Sequence, residues 1–210
     1  MSDAIILHGD SKRESPYVFS CFVALREKGL SFELQTFSLS AGEHRSADYA
    51  SRSITGRVPS LRHGDFWLAE SSAIDEYLEE AFPAPAYPAI YPATPRERAR
   101  ARQVQAWLRS DLVPIREERP TSTVFGPRAA APLSEGARAA AERFLAGCEA
   151  LLPAGATHLF GPFTIADADL ALMVQRLALN GDPVSERLRG YAEAIWRRPS
   201  IREWVEAPRP

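Results

Sequence analysis

Five prolines fall between residues 83 and 95: Pro83, Pro85, Pro88, Pro92 and Pro95. Each fixes its own φ and lacks an N–H, so the stretch can be neither helix interior nor central strand. It reads as a stiff linker that divides the 210-residue chain in two. The expected domains are 1–82 and 96–210, with 83–95 between them. Each part is long enough for a core of its own.

The two sides differ in period. Before the linker, strand-like and helix-like text alternate. Ala4–Leu7 is a short apolar run, a buried strand. Ser15-Pro16 then opens a helix with Val18, Phe19, Cys21, Phe22 and Leu25 on its apolar positions, and Gly29 stops it. Residues 31–37 alternate as a strand, and 38–56 are polar and irregular. Val58–Leu61 and Phe66–Leu68 read as two strands around the turn His63-Gly64-Asp65, before a helix opened by Ser71 and Ser72. A crossover helix implies parallel pairing of the first two strands, and the short turn implies antiparallel pairing of the last two. The fold class is therefore α/β followed by all-α. After the linker no strand pattern appears. Pro95–Glu118 reads as one helix kinked at Pro114. Leu133–Leu152, Ile165–Asn180, Ser185–Trp196 and Ser200–Val205 read as four more. Thr164-Ile165-Ala166-Asp167 has the spacing of a capping box with the acid shortened to Asp, a folding device.

Composition excludes several classes. Hydrophobic residues are 45% and charged residues 25%, the values of an ordinary folded protein. A net charge of −2 gives no field that would draw nucleic acid or anionic lipid. No apolar run approaches the ~20 residues of a membrane helix. The opening Met1-Ser2-Asp3-Ala4-Ile5-Ile6-Leu7 has no basic start and too short an apolar stretch for a leader, so the cytoplasm is expected. Cys21 and Cys148 are far apart and form no CxxC. His8, His44, His63 and His158 form no HExxH, so no metal is expected.

Three segments of the first half carry possible chemistry. Ser15-Pro16-Tyr17-Val18 reads as a helix N-cap. The same geometry would let a hydroxyl donate to an anion such as a thiolate, beside the unpaired N–H groups of a helix start. Arg57-Val58-Pro59 reads as a strand beginning at a proline. A cis Val58-Pro59 bond would instead aim the Val58 backbone at an extended peptide. Glu70-Ser71 reads as a second helix start. It also suits the head group of a free amino acid, with Glu70 on the ammonium and Ser71 on the carboxylate.

In this order and spacing the segments resemble a cytosolic glutathione transferase. Residues 17–29, 56–61, 70–78 and 163–170 all look like family segments. Ala101–Pro120 resembles the bacterial YfcF-type members in particular. The resemblance implies a thioredoxin-like, glutathione-binding N-terminal domain, a helical C-terminal domain that contributes the electrophile site, and a homodimer. It puts Ser15 where the Ser-type classes keep their catalytic hydroxyl. Val58, flanked by Arg57 and Pro59, falls on the cysteinyl site, Glu70 and Ser71 on the γ-glutamyl site, and His44 at the glycyl end. Candidates for the electrophile site are Trp107, Asp111, Ile115, Arg116 and Arg119, although core packing is the favoured reading of Trp107, and Arg116 and Arg119 are either solvated or anion-facing. No Cys stands beside Ser15, which argues against thiol–disulfide exchange. The implied activity is conjugation of glutathione to electrophiles, with peroxide reduction as a second activity. A glutathione-dependent isomerase and a non-catalytic binding module remain as alternatives. For assembly, Arg96, Arg98, Arg100 and Arg102 are spread around their helix, and Glu76, Glu79 and Glu80 are their expected partners, within the chain or across a two-fold axis.

Overall fold

All six residues of the first strand, β1 (Ile5–Asp10), are buried, and the first unit is built around it. The structure is a computed structural model that describes residues 4–210. The opening Met1-Ser2-Asp3, read above as part of a leaderless start, lies outside the described residues.

After β1 come α1 (Pro16–Glu27), β2 (Glu33–Phe37), a 3-10 turn (Glu43–Arg45), α2 (Ala47–Arg52), β3 (Ser60–His63), β4 (Phe66–Ala69) and α3 (Ser71–Ala81). The sheet order is β2-β1-β3-β4. β1 and β2 are parallel, and β1–β3 and β3–β4 are antiparallel, as the connection lengths imply. This is the thioredoxin-like arrangement. β1 runs past the apolar run to Asp10 because its polar end is accommodated. The His8 ring stacks on Phe37 and Trp67, with centroids 5.7 and 4.9 Å away. Gly9 lies against Val18, where an added Cβ would come within 2.7 Å of a methyl carbon.

Residues 38–56 are more ordered than their composition predicts. Ser46 caps α2 by accepting from the Tyr49 N–H at 3.4 Å. Only Tyr49 of that helix is buried, so there is no apolar period for a sequence reading to find.

The second unit is helical: α4 (Pro95–Ser110), α5 (Val113–Glu118), α6 (Ser122–Phe125), α7 (Glu135–Leu151), α8 (Ile165–Ala178), α9 (Glu186–Trp196) and α10 (Pro199–Val205). The single kinked helix expected over Pro95–Glu118 is two helices. Leu112 sits between them with φ 65°. Pro114 offers no N–H, and its ring would collide with the carbonyl four residues back, which is enough to end α4. Every residue of α8 except Asp169 is buried, so α8 is the centre of this unit. None of the helices is long and apolar enough to cross a membrane, among the described residues.

The units divide at Ile90/Tyr91, and Glu203–Pro210 belongs to the first unit. The sequence boundaries were 82 and 96, with the C-terminus assigned to the helical domain. The physical reasons are specific. Lys28, buried at 1% exposure, pairs with Glu79 at 2.8 Å and donates to the carbonyls of Phe82 and Pro88. Glu79 in turn accepts from the Ile90 N–H at 3.0 Å. The first half of the Pro-rich stretch is thus pinned to the first unit. Trp204 is fully buried against Phe19 and Phe22, and Arg26 pairs with Glu203 at 2.6 Å. Glu79, expected to face the arginines of α4, instead neutralises Lys28.

Candidate functional site

Topology brings the candidate segments of the first unit to one sheet edge. β1, β2 and β4 run the same way, because each antiparallel step reverses direction and β3 is the reversed strand. Ser15 follows the end of β1, His44 the end of β2, and Glu70-Ser71 the end of β4. Val58-Pro59 precedes the start of β3, and Ser60 pairs with both His8 and Ala69 near those strand ends. An open α/β sheet offers ligands this edge.

Ser15 is the N-cap of α1. Its Oγ accepts from the Val18 N–H at 3.3 Å, which leaves its own O–H to donate. One further group holds it. The Asp10 carboxylate accepts from the Ser15 N–H at 3.1 Å and from the Glu14 N–H at 2.6 Å. Cys21, one turn on, is buried with its thiol 3.8 Å from the Ser71 carbonyl, and Ser20 donates to Asp75 at 3.0 Å. These contacts tie α1 to α3.

Glu70 precedes α3 with φ 74° and an exposed side chain. Ser71 is the first residue of α3. The Ser or Thr that caps α1, α4, α7 and α9 accepts a backbone N–H in each case, but no side chain caps α3. A helix start beside an exposed carboxylate suits a ligand carrying both charges.

The Val58-Pro59 bond is cis. The carbonyl of Arg57 just before it accepts from the Tyr49 hydroxyl at 2.9 Å, and the Arg57 side chain is exposed. His44 lies in the 3-10 turn, half-buried, with Nδ1 enclosed and without a hydrogen-bond partner.

The electrophile candidates of the second unit have partners within that unit. Trp107 packs on Phe144 at 5.5 Å, and Gly147 leaves room for its indole. Ile115 is fully buried. Arg119, 3% exposed, is held by a two-pronged ion pair to Asp182 at 2.6 and 2.8 Å. These three belong to the framework of the helices. Arg116 donates to the Arg109 carbonyl, and the exposed Asp111 accepts from the Leu112 N–H, closing the break after α4.

Residues 95–207 match the model of the glutathione S-transferase C-terminal domain, and residues 11–80 that of the N-terminal domain. The chain belongs to the glutathione S-transferase family.

A glutathione transferase homologue from Burkholderia BGR1, crystallised with bound glutathione, is 40% identical, with 97% of this chain and 96% of that chain covered and a TM-score of 0.78. Glutathione S-transferase 3 of Zea mays is 28% identical over 92% of this chain and 90% of its own. Human glutathione S-transferase theta-2 is 34% identical, but the match spans 41% of this chain and only 34% of that relative's length.

Sequence reasoning missed two residues at this edge of the sheet. Asp10 was unremarkable because one carboxylate after an apolar run has no motif. His8 carries no motif in sequence. It is buried among Phe37, Tyr49 and Trp67 on the face of the sheet that carries α2, and burial lowers its pKa below 6.5. The groups acting on it are Ser60, Gln35, Arg62 and Glu33, and together they do not offset burial. The unfolded chain therefore binds the proton first. Stability is full above about pH 6.5 and is lost as pH falls toward the folded value. Thermal melts from pH 7.5 to pH 5 should show a steeper fall for the parent than for His8→Gln. Parallel curves would mean that His8 does not carry the acid sensitivity.

Proposed function

We propose that this protein is a glutathione transferase in which the Ser15 hydroxyl stabilises the thiolate of glutathione for attack on an electrophile. The observation that carries the reading is the Ser15 cap: its oxygen takes the Val18 N–H, and its proton is left for an anion at the helix start. The bound glutathione of the Burkholderia homologue supports the choice of ligand.

The magnitudes suffice. A free thiol has a pKa of about 8.5, so a few per cent is ionised at neutral pH. Lowering it by two units takes about 2.7 kcal/mol. A hydrogen bond to a charged group supplies about 1.5–3 kcal/mol, and a helix N-terminus roughly 0.3–1 kcal/mol. No ionised base is needed.

On this reading the start of α3 receives the γ-glutamyl group, with its ammonium on Glu70 and its carboxylate at Ser71. The Val58 backbone pairs with the cysteinyl part, beside Arg57 and Pro59, and His44 stands at the glycyl end. Glu70→Ala should weaken glutathione binding by about 1.5–3 kcal/mol, since a charge-assisted contact is lost. The thiol pKa of bound glutathione should hardly move. Calorimetric titration checks the first and ultraviolet thiolate absorbance the second. Unweakened binding would place the γ-glutamyl site elsewhere.

Conjugation of a chromogenic electrophile tests the activity itself. Peroxide reduction and isomerisation are assayed alongside it. The isomerase reading has a supporting similarity, since maleylacetoacetate isomerase of Pseudomonas aeruginosa is 39% identical over 44% of each chain. Binding of glutathione without any turnover would favour the non-catalytic reading. Within the family, the Ala101–Pro120 stretch supports a place with the bacterial YfcF-type enzymes.

We also propose a homodimer in which α4 takes part. Arg96 and Arg100 are exposed on α4, and Glu79 is engaged by Lys28, so acidic groups of a partner subunit could meet these arginines. Sedimentation at micromolar concentration should give a particle of twice the 23.2 kDa chain mass. A monomer that conjugates glutathione would rule the dimer out.

A further inference from the structure

We propose that Asp10 is the positioning residue for Ser15, an inference that rests on Ser15 being the hydroxyl that meets the sulfur of glutathione. Residues 11–15 join β1 to α1 without regular structure of their own, so hydrogen bonds must set where Ser15 stands. Asp10 provides most of them. Its Oδ2 accepts from the Glu14 N–H at 2.6 Å, its Oδ1 accepts from the Ser15 N–H at 3.1 Å, and its carbonyl accepts from the Arg13 N–H at 3.0 Å. Ser11 donates to the Phe37 carbonyl at 2.9 Å and fixes the other end of the loop. Asp10 is 4% exposed, so its own position is set by the sheet.

The loop needs this anchor. Arg13 takes φ 51°, a left-handed conformation unfavourable for a residue with a side chain. Without the carboxylate, two backbone N–H groups lose their acceptors and Arg13 can relax, which moves the Ser15 hydroxyl.

Charge and geometry pull in opposite directions here, and that makes the proposal testable. A carboxylate behind a thiolate site disfavours the anion, so the benefit of Asp10 must come from its two acceptor oxygens. Part of the charge is offset. The Arg209 guanidinium is held on the carbonyls of Trp204, Val205 and Ala207 and lies in the field of Asp10 and Glu14, with Arg13 opposing them.

Asp10→Asn removes the charge and sets an NH2 group against one of the two backbone donors. If Asp10 acts through geometry, the ionisation midpoint of bound glutathione should rise by about one unit, and conjugation at neutral pH should fall about tenfold. The dissociation constant of glutathione should stay within about twofold. Added to Ser15→Ala, Asp10→Asn should neither raise the midpoint nor slow conjugation further, because there is no hydroxyl left to position and the lost charge can only favour the anion. A midpoint that is unchanged or lowered in Asp10→Asn overturns the proposal, as does a further tenfold loss on top of Ser15→Ala. A Ser15→Ala protein that conjugates like the parent removes the serine reading and this proposal with it. An Asp10→Asn protein that matches the parent while Ser15→Ala is impaired removes the proposal alone. Should Asp10→Asn not fold, Asp10→Ser keeps a single acceptor and carries the same comparison.

Discussion

Conjugation at neutral pH should fall about 10- to 100-fold when Ser15 is replaced by Ala, because a charge-assisted hydrogen bond of ~1.5–3 kcal/mol to the thiolate is lost. The loss should appear as a rise of about one to two units in the thiol pKa of bound glutathione. Binding should change less, since the proposed site holds the tripeptide at Glu70, Ser71 and the Val58 backbone. Ser15 also caps α1 through the Val18 N–H, so the variant should lose about 1 kcal/mol of stability. Rates are therefore compared well below the melting temperature of the variant. At a pH well above the raised pKa the glutathione is ionised without help, and the two rates should converge. A rate deficit that persists there would mean that Ser15 acts on something other than thiol ionisation. An unchanged rate at neutral pH in a folded variant would direct attention to Ser11 or Tyr17.

The order of strands and helices was legible because each carries its own period. Connection length alone gave the mixed pairing of the sheet. The helix starts at Ser15 and at Glu70-Ser71 were legible because a helix start has recognisable residue types, and a helix start is also where an anion can bind. What stayed hidden is non-local. Nothing near Lys28 in sequence says that it will be buried between Glu79 and two carbonyls of the Pro-rich segment. Nothing near Glu203 or Trp204 says that the chain end belongs to the first unit. Asp10 acts on residues four and five positions later, a range at which a single carboxylate gives no pattern. In the helical half, the apolar face over Pro95–Glu118 is real, and Trp107 and Ile115 on it pack against the unit itself. Arg119 is the clearest case. Its partner Asp182 is 63 residues away, so sequence offered solvent or an anion as the only choices.

Asp167→Ala should cost about 3–5 kcal/mol of stability, because it leaves several buried donors without an acceptor at once. The Asp167 carboxylate accepts from the Leu159 N–H, the Thr164 N–H and the Thr164 hydroxyl, each at 2.8 Å, and from the Tyr191 hydroxyl at 2.9 Å. These bonds join the loop before α8, the first turn of α8 and α9. Burial pushes the pKa of Asp167 up, and the four hydrogen bonds pull it back without cancelling the rise. A raised carboxyl pKa means that the folded state holds the proton more tightly than the unfolded chain. The group's contribution therefore falls as pH rises through the unfolded value near 3.9 to the folded value, and is constant above it. At neutral pH the charge is thus a burden that its hydrogen bonds must outweigh. Asp167→Asn separates the two effects. It removes the charge, keeps an oxygen for Leu159 and Tyr191, and turns an NH2 group toward Thr164. Its loss should be well under that of Asp167→Ala, about 1–2 kcal/mol. Urea unfolding followed by circular dichroism measures both. Glutathione binding should be unchanged in either variant while it remains folded, since every partner of Asp167 lies in the helical unit. An Asp167→Ala protein within about 1 kcal/mol of the parent would mean that water reaches the orphaned donors, and that α8 starts without needing its acid.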